Sequence, residues 1–311
     1  MNTLEIIFFI LLSIVFYTYI GYGIILWILV RIKRIFIKEK SYHTMEELPE
    51  VTLFITAYNE EQVVEKKMQN CRELDYPKEK FQIVWVTDGS CDATNKKLKA
   101  YPDATVYYSA ERKGKTAAMN RGIKFITTPI VIFTDANTSI NSQSIREMVR
   151  YFNNPKVGCV AGEKRINMHT KDEAAVGGEG MYWKYESFLK KLDSQLHSAV
   201  GAAGELFAIR TSLYEQMPND TLLDDFILSL KIAMKKYIIA YCNKAYAMEN
   251  GSANMKEEEK RKVRIAAGGI QAIPLWNTQL SICISSRTKM VHHTNCLVFA
   301  RTSECIIDHL Q

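Results

Sequence analysis

Four clusters of side chains in this 311-residue chain have the types needed to move a proton and to hold a charged leaving group. Asp135-Ala-Asn137 offers two oxygen side chains two residues apart. On an extended segment both would point to one side, and oxygen donors suit a hard divalent cation. Asp224-Asp225 opens a helical pattern. One of these carboxylates can cap the helix and meet its dipole, leaving the other to act as a general base. Lys113-Gly-Lys115 is a basic loop at a strand end, suited to meeting a diphosphate with one or two ammonium groups. Arg261-Lys-Val-Arg264 puts two guanidinium groups three residues apart, on one face of a helix and shaped to grip phosphate bidentately. Each cluster also has a plain structural reading as a turn, a cap or a solvated helix. Two nucleotide motifs are excluded. Ser109 stands where the first glycine of a phosphate-binding loop ending in Gly114-Lys115-Thr116 would fall, and Gly177, Gly178 and Gly180 do not follow a strand.

The elements that must position these groups follow from hydrophobic patterning. Val51–Ala57, Phe81–Thr87 and Ile130–Phe133 are apolar runs that end at Tyr58-Asn-Glu60, Asp88-Gly-Ser90 and Asp135. Each reads as a buried strand handing over to a polar loop, with helical patterns between them. Repeated strand–helix units imply an α/β fold with a mainly parallel sheet and right-handed crossovers. In such sheets ligands bind beyond the carboxyl ends of the strands, so the acidic clusters should converge on one crevice. Helix Ser144–Phe152 carries Ser144 and Glu147 as a capping box. In the second half, an amphipathic helix (Met181–Leu196) precedes the small-residue loop Val200-Gly-Ala-Ala-Gly-Glu205. Strand Leu206–Arg210, a helix from Asp224 through Lys236, strand Ile238–Tyr241 and helix Lys256–Gly269 then follow.

No charged residue occurs between Ile6 and Val30. At 1.5 Å per residue this is about 37 Å of helix, enough to span ~30 Å of hydrocarbon. Arg31, Lys33, Arg34, Lys38 and Lys40 follow at once. By the positive-inside rule this places the rest of the chain in the cytoplasm, at the inner (plasma) membrane. The expected organisation is an anchor over 1–30, a basic connector over 31–49, a catalytic domain over 50–275 and an atypical polar tail over 276–311. The tail lacks a membrane span and breaks the preceding pattern, so a truncation or frameshift after about Leu280 is expected. The net charge of +6 reflects the basic run beside the anchor; no basic stripe interleaved with aromatics points to nucleic acid. Seven cysteines without Cys-x-x-Cys spacing imply a reduced chain and no zinc site.

The order Ala57-Tyr-Asn-Glu60, Asp88-Gly-Ser90, Lys113-Gly-Lys115, Asp135-Ala-Asn137, Gly201-Ala-Ala-Gly-Glu205, Asp224-Asp225 and Arg261-x-x-Arg264 resembles the family 2 glycosyltransferases of GT-A fold. More narrowly it is similar to their membrane-bound branch, which includes hyaluronan, chitin and cellulose synthases and bacterial polysaccharide glycosyltransferases. The resemblance covers roughly residues 50 to 275. It implies that Ala57, Tyr58, Glu60 and Asp88 bind the nucleoside of a nucleotide-sugar donor, with Asp88 near the base, and that Lys115 faces the diphosphate. Asp135 and Asn137 would hold Mg2+ or Mn2+ and the donor. Gly201, Gly204 and Glu205 would line the acceptor site, Asp225 beside Asp224 would be the catalytic base, and Arg261 and Arg264 would cap the diphosphate.

The implied reaction is inverting transfer from a nucleotide sugar, expected to be uridine-linked, to a glycan or lipid-linked acceptor in polysaccharide biosynthesis. Three positions depart from the family pattern: Asn137 is uncharged, Arg261 replaces Gln, and Ile265 replaces Trp. These weaken the expectation of a processive synthase and leave single transfer intact. Two alternatives remain open, transfer to a polyprenyl phosphate and a catalytically inactive subunit that binds nucleotide sugar.

Overall fold

The computed structural model describes residues 2–36, 47–167, 173–250 and 255–285. Helices α1 (Thr3–Phe16) and α2 (Tyr22–Phe36) form one rod, joined by a π-helical turn at Tyr17–Gly21. There follow β1 (Val51–Ala57), α3 (Val64–Arg72), β2 (Phe81–Asp88), α4 (Thr94–Leu98), β3 (Ala104–Ser109), α5 (Lys115–Gly122) and β4 (Ile130–Asp135). The chain continues through β5 (Ser139–Ile140), α6 (Ser144–Val149), β6 (Val157–Asn167), α7 (Glu173–Leu196) and β7 (Leu206–Arg210). It closes with α8 (Asp224–Met234), β8 (Ile238–Asn250) and α9 (Met255–Ser285). Among the described residues the eight strands make one sheet in the order β3-β2-β1-β4-β7-β6-β8-β5. β1 pairs in parallel with both β2 and β4, and β2 with β3. β7 runs antiparallel to its neighbours β4 and β6, while β6 and β8 are parallel.

The central strand shows why the apolar runs are continuous rather than alternating. Both faces of β1 are covered. Leu53 and Ile55 enter a core with Met68, Trp85, Ile132 and Ile145, whereas Phe54 enters a second core with Val86, Met119, Phe133 and Phe207. The chain order reverses beside β1: the chain steps outward from β1 to β2 and β3 on one side, then returns through α5 to lay β4 on the other. That switch point is where an open α/β sheet leaves a crevice at its carboxyl rim. The register sets Ala57 opposite Thr87 and Thr56 opposite Asp135. Tyr58, Asp88 and Asp135 therefore reach one rim, as the strand ends in the sequence imply.

Helix α5 lies close to this sheet because Gly122 has no side chain. A Cβ there would meet the Phe54 ring and Val86 at 2.5 Å. Gly122→Ala should destabilise the domain by about 1–3 kcal/mol through overpacking, read as a lower denaturation midpoint at unchanged slope.

The rod is tied to the domain along α2. Tyr22, Leu26 and Val30 pack with Leu192 of α7, and the Tyr22 hydroxyl donates to Asp193 Oδ1 at 2.6 Å. Lys33 Nζ donates to the carbonyls of Gln195 and Leu196 at 2.7 Å each. An ammonium at the carbonyl end of α7 satisfies groups that the helix leaves unpaired. Among the described residues one helix, Thr3–Phe36, is long and apolar enough to cross a membrane.

Two local expectations need correction. The first helical residue of α6 is Ser144 itself, with Gln143 at the N-cap and no capping hydrogen bond. The chain enters through a turn in which the Ser144 N–H donates to the Asn141 carbonyl at 3.0 Å. Glu147 pairs instead with Arg150 at 2.8 Å, so no capping box forms. The helix also gives way to a 3-10 turn over Arg150–Asn153. Separately, the helix expected over Lys256–Gly269 is longer, running as α9 from Met255 through Ser285. Residues 286–311 lie outside the described part, as do 37–46 of the connector.

Candidate active site

The loop after β1 is bound to the loop after β2 by backbone and side-chain hydrogen bonds. Asn59 takes a left-handed φ of 54°. Its N–H donates to Ser90 Oγ at 3.1 Å, and its Oδ1 accepts the Cys91 N–H at 2.9 Å. The Glu60 N–H donates to Thr94 Oγ1 at 2.8 Å. Ala57 is buried beneath this loop, and the Tyr58 ring is exposed. The Arg112 guanidinium lies 3.8 Å from the Tyr58 ring centroid. Burial, then the nearby charges of Asp135 and Asp92, hold the Glu60 carboxyl above its usual range.

Asp88 is buried at the end of β2. Its Oδ2 accepts the backbone N–H groups of Lys113 and Gly114 at 2.8 and 2.7 Å, and its Oδ1 accepts from Arg121 Nη1 at 3.2 Å. The described hydrogen bonds of this carboxylate thus set the turn that launches α5. Gly114 follows with a φ of 94°, and Gly89 with 69°. A side chain at Gly89 would also meet Arg112 at 2.7 Å. Asp88 reaches the rim as expected, and what it visibly does there is shape the basic loop.

That loop delivers Lys115. Its Nζ lies 2.8 Å from Asp135 Oδ1 and 3.5 Å from Asp224 Oδ2. Burial works against the ammonium, but Asp135 and Asp224 outweigh it and hold Lys115 protonated far above the ordinary lysine range. β4 ends at Asp135, and Ala136 and Asn137 form a turn with Asn137 exposed. This corrects the expectation of an extended Asp135–Asn137 segment with both side chains on one side. The Thr138 hydroxyl donates back to the Asp135 carbonyl at 3.0 Å, which folds the chain over where a straight strand would run on.

The third contributor is the start of α8, set against the loop before β7. A Cβ on Gly204 would lie 3.2 Å from Asp225 Oδ2 and 3.6 Å from Lys115 Nζ. Gly204 therefore stands directly against both charged groups. Gly201 is buried, and a side chain there would strike Phe226 at 2.6 Å. Asp224 and Asp225 lie in the first turn of α8, with Leu223 at the N-cap and no side-chain cap bond. Neither carboxylate serves as the cap, so both remain available to the site. Asp224 is buried, and its Oδ2 has no hydrogen-bond partner among the described residues. Burial first, then the Asp224 charge, pushes the Asp225 carboxyl up to about 7, against the opposing pull of Lys115.

Glu205 marks the far side. Lys164 of β6, itself buried, bridges Glu205 and Glu249, the latter at 2.5 Å. Arg261 of α9 lies 3.9 Å from Glu205 Oε1. Although burial would raise it, Lys164 and Arg261 hold the Glu205 carboxyl below its usual range. The structure thus brings Arg261 to the site, whereas Arg264 is exposed and joins none of the ion pairs among the described residues. Lys164 and Glu249 escaped the sequence reading because Glu163-Lys-Arg165 looks like an ordinary solvated run. Lys67 escaped it too: it is buried under the Asp135 turn, and burial pushes its ammonium down to about 8.

The rim therefore holds an ammonium between two carboxylates, with a third carboxylate of near-neutral pKa beside it. Lys115 already shows that a cation is favoured between Asp135 and Asp224. Among the described residues no three His, Cys, Asp or Glu side chains cluster as a metal cage. A Mg2+-like ion is often held by one or two carboxylates plus substrate phosphates, so Asp135 with the adjoining turn fits that donor chemistry.

Comparison with known proteins agrees with this architecture. A model of glycosyl transferase family 2 matches residues 52–217. Poly-beta-1,6-N-acetyl-D-glucosamine synthase of Staphylococcus aureus is 27% identical over 266 residues, which cover 80% of this chain and 63% of the relative. The enzyme of the same name from Staphylococcus epidermidis is 26% identical over 273 residues, covering 82% and 65%. The chain thus spans less than two thirds of the length of these relatives. Among solved structures, mannosyltransferase PcManGT from Pyrobaculum calidifontis, in complex with GDP-Man and Mn2+, has a TM-score of 0.68 at 22% identity, covering 96% of this chain and 85% of that one. TarS of S. aureus (residues 1–349) has a TM-score of 0.52 at 14% identity, covering 72% and 65%. These likenesses are of the GT-A fold. With more than half of its length matched by the family model, the chain belongs to glycosyl transferase family 2.

Proposed function

We propose that this protein is a membrane-anchored, inverting glycosyltransferase that moves a sugar from a nucleotide sugar to a glycan or lipid-linked hydroxyl acceptor. One observation carries this reading: Asp225, with a carboxyl near neutrality, faces Gly204 beside the Lys115–Asp135 pair at the carboxyl rim of the sheet. A base and an anion-binding cation thus sit side by side, as displacement of a diphosphate by a hydroxyl requires. The Asp225 carboxylate takes the acceptor proton as the acceptor oxygen bonds to the anomeric carbon and inverts it. The bond to the diphosphate oxygen breaks, and the nucleoside diphosphate leaves with the electron pair. Lys115 offsets the charge that develops on it. Mg2+ or Mn2+, bound by Asp135 and the Asn137 turn together with the donor, would supply further charge neutralisation. Arg261, which approaches Glu205 from α9, would serve the diphosphate, and Tyr58, Glu60 and the loop set by Asp88 would hold the nucleoside. Gly201, Gly204 and Glu205 would line the acceptor side.

The donor class draws support from relatives. PcManGT is solved with GDP-Man and Mn2+, and TarS 1–349 with UDP-GlcNAc. The polymer in the name of the staphylococcal relatives is built of N-acetylglucosamine. A UDP-sugar is therefore the first donor to try, and polysaccharide synthesis the setting. The anchor reading rests on Thr3–Phe36 and the basic residues that close it, with the catalytic domain on the cytoplasmic side. The test is a panel of nucleotide sugars with Mn2+ or Mg2+ and glycan acceptors, scored by nucleoside diphosphate release. Release with none of them, from folded protein, would favour the inactive-subunit alternative.

A pH dependence follows from the same carboxyl. Burial and the Asp224 charge favour its protonated form, so the base form accumulates only as pH rises through about 7. Below that point kcat/KM should climb about tenfold per pH unit, and above it level off. Asp224→Asn removes the neighbouring negative charge and should move this limb to lower pH, measured as kcat/KM across pH 5 to 9. A limb that stays in place would exclude Asp224 as the cause.

A further inference from the structure

Helix α3 carries a lysine into the interior of the fold. Glu65 and Lys66 face solvent, but Lys67 is only 2% exposed. Its Nζ lies 3.1 Å from Thr134 Oγ1, 2.8 Å from the Thr138 carbonyl and 3.4 Å from Thr138 Oγ1. An ammonium has three protons and no lone pair, so these three acceptors use all of them. Each threonine hydroxyl then has one proton left to give. Thr134 Oγ1 lies 3.0 Å from the Glu205 carbonyl, and Thr138 Oγ1 lies 3.0 Å from the Asp135 carbonyl. The hydroxyls lie 3.1 Å apart, and with Lys67 donating to both, each is free to point its proton outward. One buried cation therefore orients two hydroxyls, and these in turn hold the backbone on both sides of the crevice.

One turn further along α3 a second polar side chain repeats the grip. Asn70 Nδ2 donates to the Ile140 carbonyl at 2.8 Å, and Asn70 Oδ1 accepts the Ile140 N–H at 2.9 Å. The segment from Thr134 to Ile140, which contains Asp135 and Asn137, is thus clamped from behind at both ends. Its front is left open to the crevice. Burying an unpaired ammonium is expensive, and a methionine of similar length would fill the same space more cheaply. The charge is explained by what it orders.

We propose that Lys67 is the positioning residue of the Asp135 turn: through Thr134 and Thr138 it sets the backbone that presents Asp135 and Asn137 to the divalent cation and nucleoside diphosphate, and couples that backbone to Glu205. This rests on the proposed function, because it takes Asp135 as a donor-site residue. Groups that orient ligating residues from behind typically change metal affinity about 10- to 100-fold when removed.

The test uses the full chain in detergent, with UDP as probe and GDP run in parallel. Nucleotide binding is measured by calorimetry across a Mn2+ titration for wild type, Lys67→Met and Thr138→Val. Thr138→Val keeps the shape and the ammonium but removes one relay hydroxyl. The Mn2+ concentration for half-maximal nucleotide binding should rise about 10- to 100-fold in Lys67→Met and about tenfold in Thr138→Val. A role confined to stability would lower the melting midpoint and the binding-competent fraction, yet leave the Mn2+ requirement of that fraction unchanged. Should Lys67→Met not fold, the Thr138→Val value decides. Wild-type Mn2+ dependence in the folded variants overturns the assignment of Lys67 alone. Wild type that binds neither nucleotide at any Mn2+ concentration overturns the donor site itself, and the inference with it.

Discussion

Asp225→Asn should bind donor nucleotide like wild type and lose about 10²- to 10⁴-fold in the rate of transfer to a hydroxyl acceptor. The substitution keeps the size of the side chain against Gly204, whose Cβ position lies 3.2 Å from Asp225 Oδ2, and removes only the proton acceptor. The charge lost with it lies beside Asp224, and Lys115 keeps both its ion-pair partners, Asp135 and Asp224, so the donor side stays assembled. The measurement is acceptor-dependent nucleoside diphosphate release, with nucleotide affinity determined in parallel. Near-normal transfer by the variant would sink the general-base role and favour a polyprenyl phosphate acceptor, which is already an anion and needs no base. Loss of nucleotide binding together with transfer would place Asp225 on the donor side instead.

Asp135→Ala should act on the other half of the reaction. It removes the carboxylate that lies 2.8 Å from Lys115 Nζ and the charged oxygen donor for a divalent ion. A loss of about 10²- to 10³-fold in nucleoside diphosphate release is expected, the scale for deleting one group that stabilises charge developing in the transition state. The residual activity should no longer respond to Mn2+ or Mg2+. Release that survives with its metal dependence intact would remove Asp135 from the metal site. The two variants thus fail in different ways, one with donor binding preserved and one with ion dependence gone. The pair separates the base from the anion-binding machinery.

Much of this site was legible before any coordinates. The strands that end at Tyr58, Asp88 and Asp135 show as apolar runs because both faces of β1, β2 and β4 are buried. Asp224 and Asp225 fall at the start of α8, where the helical pattern opens. What each group touches was less legible. Asp88 was expected beside a base, and its described hydrogen bonds go to the backbone of Lys113 and Gly114 and to Arg121. The two-residue spacing of Asp135 and Asn137 suggested a straight strand, yet the strand stops at Asp135. Its successor residues turn because Thr138 bonds back to it.

Hydrophobic period and charge placement report how a segment meets its own surroundings, apolar or wet. That local information determined that apolar strands run up to Tyr58, Asp88 and Asp135, that an uncharged apolar segment spans residues 6–30, and that acids gather at strand ends. It carried nothing about which segments become neighbours across the sheet. Insertion of the antiparallel β7 beside β4 brings Gly204 and Glu205 to Lys115 and Asp135. Parallel pairing of β6 with β8 brings Lys164 to Glu249, 85 positions away. Lys67 looks like one of several charges on an amphipathic helix until α3 is laid against β4, where its ammonium is sealed from water. Ion pairs and buried polar relays depend on distances between segments remote in sequence, and only the packed sheet brings those distances down to hydrogen-bonding range.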